Sequence, residues 1–142
     1  MNSIKFFPLF LAITLLLAGC EEETIPSPCD LLIGNWECIS WTADDYEFLG
    51  QLIEYSYLDL DEIDLSGKGD HNWVVKNTDG LVDHLDGAYS TNTSCNEIYF
   101  DLDNAIQTGG GTIEFNFQLN EEVLTIEGFN AGYYQVITFK RK

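Results

Sequence analysis

The side chains able to do chemistry in this 142-residue chain are its carboxylates, its two histidines and its four cysteines, and their spacing decides what each can do. Covalent catalysis needs a nucleophile beside a base, hydrolysis by carboxylates needs two of separated acidity, and metal chemistry needs clustered ligands. With 24 Asp and Glu residues, near neighbours arise by accident, so Asp59-x-Asp61 and Asp101-x-Asp103-Asn104 carry little weight for hydrolysis. As calcium sites they lack the regular ligand spacing of a helix–loop–helix calcium loop. His71 and His84 are remote from each other and read as surface or turn residues, and no Cys-x-x-Cys pair exists to hold zinc. The expectation is a chain that is not an enzyme, with no catalytic residue, no metal and no cofactor.

The N-terminus is more specific. Lys5, an apolar run from Phe6 to Leu17 broken only by Pro8 and Thr14, and the small pair Ala18-Gly19 form the layout of a secretory signal. The run falls short of the roughly 20 apolar residues that span a bilayer, and Glu21, Glu22 and Glu23 follow at once. Leu17-Ala18-Gly19-Cys20 resembles the lipobox of bacterial lipoproteins. That resemblance implies residues 1–19 as a signal peptide, cleavage between Gly19 and Cys20, and a glyceride on the Cys20 thiol. Each buried CH₂ adds ~0.8 kcal/mol of membrane affinity, so two or three acyl chains make an effectively permanent anchor. Residues 20–29, acidic and then proline-punctuated, read as an extended tether. An acidic run after the lipidated cysteine also resembles an export tag used by some Gram-negative bacteria. It implies an outer-membrane lipoprotein, on the periplasmic face or, slightly preferred, the cell surface; the alternative is a solvated spacer.

The formal charge is −18, and removal of residues 1–19 takes away one positive charge, Lys5, and no negative one. Such a field excludes nucleic acid as a partner and suits a soluble exported domain, while leaving room for cationic partners. Outside the cytoplasm disulfides persist, and Cys29, Cys38 and Cys95 allow one pair and one leftover. Cys29 and Cys95 both neighbour turn-like residues, whereas Cys38 lies within a strand pattern, so Cys29–Cys95 is preferred over Cys38–Cys95.

The elements that must carry these residues are strands. From Thr112 to Leu119, Ile113, Phe115, Phe117 and Leu119 alternate with polar residues, the mark of a strand with one buried face. Asn120-Glu121 turns, 123–127 returns with Leu124 and Ile126 inward, Gly128 to Gly132 turns again, and 133–142 closes with Ile137, Phe139 and Arg141 on one side. Further strands are expected at about 32–42, 52–60, 65–77, 83–90 and 96–102, with turns at Ser66-Gly67-Lys68-Gly69 and Asp79-Gly80. Segment 41–52 could hold a helical turn or a lid. Eight antiparallel strands suffice for an all-β, up-and-down barrel, which removes both sheet edges; a two-sheet β-sandwich is the alternative. One domain, residues 30–142, accounts for the length.

The first strand opens with Gly34-Asn35-Trp36, and this Gly-x-Trp resembles the start of lipocalin-like (calycin) domains. The resemblance implies that Gly34 opens the strand, Trp36 plugs one end of the barrel and Arg141 stacks over it. A Thr-Asp-Tyr-like turn between strands six and seven, also part of the true lipocalin pattern, is absent from Leu119-Asn120-Glu121-Glu122. The function expected from eight strands with aromatic inner faces, rather than from the resemblance, is binding of a small apolar or amphipathic ligand, with Trp73, Phe100, Phe115 and Phe117 as lining; Trp41 and Tyr99 are further aromatic candidates. Ordinary core packing is the competing reading of all these aromatics. An envelope protein partner docked on a filled barrel is the alternative function.

Overall fold

The computed structural model describes residues 27–103 and 111–142. The signal peptide, the lipobox with Gly19 and Cys20, and most of the tether lie outside the described residues, as does Asn104.

A one-turn 3-10 helix, Asp30–Leu32, leads into β1 (Gly34–Ala43), β2 (Tyr46–Glu47), β3 (Ile53–Leu60), β4 (Gly69–Asn77) and β5 (Val82–Thr91). Then follow β6 (Glu97–Leu102), β7 (Gly111–Leu119), β8 (Val123–Asn130) and β9 (Tyr133–Arg141). All neighbours pair antiparallel in the order β2-β1-β3-β4-β5-β6-β7-β8-β9, and β1 also pairs β9. The eight long strands therefore close on themselves as an up-and-down barrel, and the sandwich alternative is excluded by that closing pair. The two-residue β2 is an extra pairing at one end of β1.

Period-two patterning puts the core inside. Along β4, Gly69, His71, Trp73 and Val75 are buried between more exposed neighbours, and along β9 so are Gln135, Ile137 and Phe139. Two bulges re-aim this alternation. In β1 the register slips between Cys38 and Ser40, so Ile39 is the extra residue and stands half exposed, and Trp36, Cys38, Trp41 and Ala43 all face inward. In β3 a second slip falls between Ile53 and Tyr55.

Three expectations change here. Segment 41–52 holds no helical turn: β1 runs through Ala43, Asp44 and Asp45 turn at positive φ (46° and 68°), and the chain after β2 folds back to bridge Leu49 to Ile53. Phe48 and Leu49 from this segment pack on the core, an apolar flap over one barrel end. Strand β8 does not stop at Glu127, because Gly128 stays in the strand facing inward. A Cβ there would lie 2.8 Å from the Glu114 carbonyl, so the bare glycine lets β7 pass closely. The turn shrinks to Ala131-Gly132, both at positive φ as a two-residue hairpin requires. Strand β4 starts at Gly69 rather than at 65, since Asp64 gathers the backbone N–H groups of Ser66 and Lys68 into a turn.

Gly87 marks the tightest crossing: a Cβ on it would stand 1.8 Å from the Asp101 carbonyl oxygen, which is backbone of the paired strand β6. Gly87→Ala should therefore force the β5–β6 pair apart and destabilise the domain by about 1–3 kcal/mol. A denaturant midpoint unchanged from wild type would mean that β5 and β6 do not cross as described.

Candidate functional site

The barrel has two ends of different chemistry. The base collects Gly34, Leu60, Gly69, Thr91, Leu119 and Arg141; the rim collects Ala43, Ile53, Asn77, Val82, Asn130 and Tyr133.

At the base the structure brings together Gly34, Trp36 and Arg141. Trp36 is fully buried, and its indole N–H donates to the Leu32 carbonyl at 2.9 Å. The Arg141 guanidinium lies over its ring, 4.2 Å from the centroid. Arg141 also donates to the carbonyls of Ile33 (2.8 Å), Glu121 (3.0 Å) and Leu31, so its charge is met by backbone oxygens rather than by a carboxylate. Gly34 explains itself there: its φ is +138°, and a Cβ would sit 2.6 Å from a guanidinium nitrogen of Arg141. The expected disulfide is present. Cys29–Cys95 links the chain just before the 3-10 helix to the β5–β6 turn, with Cα atoms 5.5 Å apart. Beside it a groove of about 480 Å³, lined by Ser27, Ile33, Ile63 and Thr91 among others, runs along the outside of the base. Among the described residues Cys38 is the free cysteine, buried, and burial pushes its thiol up to about 12, so it is a packing residue rather than a nucleophile.

Inside, the residues expected to line a ligand space form a continuous aromatic stack. Trp73 lies at its centre, with ring centroids 5.6 Å from Trp41, 5.6 Å from Phe100 and 6.1 Å from Phe139. Phe100 in turn meets Phe115 at 6.3 Å, and Phe117 is buried in the same cluster. The Trp73 N–H is satisfied by Ser56 Oγ at 2.8 Å. Tyr99 is not part of this wall. Ile98 and Phe100 take the inner positions of β6, which turns Tyr99 outward to donate to Glu97 at 2.7 Å.

Among the described residues the interior keeps several polar atoms with no hydrogen-bond partner: Trp41 Nε1, Gln135 Oε1 and both ring nitrogens of His71. Trp41 and Gln135 stand on the paired strands β1 and β9, at diagonal inward positions near the rim, one offering a donor and the other an acceptor. His71 corrects the surface reading. It is 4% exposed, edge-on to Phe100 at 5.0 Å, because the alternation of β4 places it two residues before Trp73 on the inner face. Sequence reasoning missed it although that period-two spacing was there to be read.

Burial pulls the His71 imidazole below its usual value, outweighing the nearby Asp86 and Asp103 carboxylates. The folded protein thus holds His71 neutral, and the unfolded chain takes up the proton first, below about pH 6.5. Its contribution is complete above that pH and is lost on acidification, at a slope no steeper than about 1.4 kcal/mol per pH unit. Unfolding curves between pH 7.5 and 5.5 should show His71→Phe less acid-sensitive than wild type; identical slopes would put His71 in water.

His84 is exposed on β5, and among the described residues no three His, Cys, Asp or Glu side chains converge as metal ligands. Asp59 and Asp61 are exposed, and Asp101 is engaged by Lys68 at 2.9 Å and Thr112 at 2.6 Å, which hold its carboxyl below the usual range.

No protein-family model matches the chain, and no curated protein matches it. Among solved structures, a de novo designed fluorescence-activating β-barrel has a TM-score of 0.59 at 11% identity, covering 83% of this chain and 100% of that one. A redesigned β-barrel reaches 0.62 at 15% identity, covering 81% and 95%. Lobster apocrustacyanin A1 gives 0.51 at 13% identity over 80% of this chain and 62% of its own. At these identities the likeness is one of fold, and the fold is a lipocalin-like, calycin-type barrel.

Proposed function

We propose that the chain is a non-enzymatic outer-membrane lipoprotein, anchored through Cys20, whose barrel holds a small amphipathic molecule beneath the rim flap. The observation that carries the ligand reading is the pair Trp41 Nε1 and Gln135 Oε1, which have no partner among the described residues and are buried near the stacked Trp41 and Trp73 rings. A buried donor and acceptor left without partners cost free energy, and a flat molecule with one polar end would meet both. Entry requires Phe48 and Leu49 to lift from the core. One redesigned barrel of similar fold is bound to DFHBI, a small molecule, which supports the reading.

Tryptophan fluorescence and melting, with fatty acids, haem, sterols and isoprenoids added in turn, test the reading. One class should quench emission and raise the melting temperature, and Trp41→Phe with Gln135→Leu should blunt both effects. No response to any class would leave the second reading, an assembly lipoprotein with a filled core, which the close packing of Trp73, Phe100, Phe115 and Phe139 favours. The anchor is tested separately. The protein should enter the detergent phase of a detergent partition with a lipid-sized mass excess on its N-terminus, and Cys20→Ala should abolish both; an unmodified protein in the aqueous phase would refute it.

A further inference from the structure

The rim carries a patch that neither the ligand reading nor the fold requires. The β8–β9 hairpin tip exposes Phe129 (74%), Tyr133 (52%) and Tyr134 (38%), with the Phe129 and Tyr134 rings edge-to-face at 5.2 Å. Next to it stands the β1–β2 turn, fixed by the Asp44 N–H on the Tyr134 carbonyl (2.9 Å) and the Tyr134 N–H on Asp44 Oδ1 (3.0 Å). That turn adds exposed Asp44, Asp45 and Tyr46. Glu127 lies on the outer face of β8 beside Phe129, close enough that burial and this neighbouring carboxylate raise the Tyr134 hydroxyl above its ordinary range. Exposed aromatics in such a cluster mark a contact surface more often than scattered ones do.

The charges select the occupant. Among the described residues the cations are Lys68, Lys76, Lys140, Arg141 and Lys142. Lys76 is paired with Glu54 at 2.8 Å, and the other four lie at the base or in the β3–β4 turn beside it. The aromatic patch is thus flanked by carboxylates alone. Rings framed by carboxylates suit guanidinium and ammonium groups, whose charge meets the acids while their stems lie on the ring faces. A second copy of the chain would bring another acidic rim against this one and be repelled.

We propose that the Tyr46, Phe129, Tyr133 and Tyr134 rim, with Asp44, Asp45 and Glu127, docks a basic Arg/Lys-rich segment of a partner protein. This surface is independent of the barrel interior, so its failure would leave the ligand reading standing. The test titrates the full-length chain in detergent micelles with a short peptide of alternating arginine and glycine, following amide shifts by NMR and affinity by fluorescence anisotropy. Shifts should concentrate at 44–46 and 127–135. Phe129→Ser with Tyr133→Ser and Tyr134→Ser, which leaves charge unchanged, should weaken binding by about tenfold or more, whereas Asp59→Asn with Asp70→Asn on the outer wall should change it by less than about twofold. Equal losses in the two variants, or shifts spread over the whole acidic surface, would reduce the effect to diffuse charge and overturn the proposal. So would stronger shifts of the same amides by a neutral oligosaccharide than by the peptide, or by raising protein concentration alone. The shift map on the wild-type chain decides even if the aromatic variant folds poorly.

Discussion

Trp36→Ala is expected to destabilise the domain by about 3–5 kcal/mol, as truncation of a fully buried aromatic does when its neighbours cannot collapse into the space. Three losses coincide. The cavity opens at the base, the Leu32 carbonyl loses its indole donor, and the Arg141 guanidinium loses the ring it covers. Trp36→Phe separates these effects, because it keeps most of the volume while removing the N–H, and should cost roughly 1–2 kcal/mol. Chemical denaturation of each variant measures the difference; a loss below about 1 kcal/mol for the alanine variant would move Trp36 out of the core.

Opening the Cys29–Cys95 disulfide is the other large effect. The bond closes a loop across 66 residues of sequence, and the loop-entropy relation gives about 4 kcal/mol for a loop of that size. Reductant, or the paired change Cys29→Ser with Cys95→Ser, should lower the denaturation midpoint accordingly. The thiol count under denaturing conditions checks the same bond. With Cys20 acylated as proposed, only Cys38 should titrate without reductant, since it becomes reactive on unfolding, and with reductant all three of Cys29, Cys38 and Cys95 should. An unchanged midpoint together with three titratable thiols before reduction would remove the bridge.

How much of this was legible in the chain differed by element. Strands β7 and β9 announced themselves, since Ile113 to Leu119 and Ile137 to Arg141 alternate without interruption and nothing local competes. The Cys29–Cys95 pairing was readable from the turn residues beside both thiols. Strand β1 was readable only in part, because the bulge at Ile39 changes the phase of the alternation. Strict alternation inward from Trp36 and Cys38 would have aimed Ser40 into the core and Trp41 outward, and a slip of one residue has no composition signature. Gly128 reads as a turn in the sequence because glycine punctuates loops far more often than it lets two strands approach closely. His71 and Tyr99 were misplaced for a related reason: residue type was weighed above strand parity, and parity decided. The base was therefore legible through Gly34, Trp36 and Arg141, whereas the rim was not, since its aromatic patch arises from two turns that are adjacent only once β1 and β9 have paired.

The bridge between Cys29 and the β5–β6 turn also sets how the domain bears load. A pull on the N-terminal segment reaches Cys29 before it reaches β1, and the covalent link passes it across to Cys95 on the far side of the base. Strand β1, whose pairing with β9 closes the barrel, is thus shielded from being peeled away one hydrogen bond at a time. With the bridge intact, tension along residues 20–28 would act on the cross-linked base as a block; with it reduced, the same tension would unzip the barrel from its first strand.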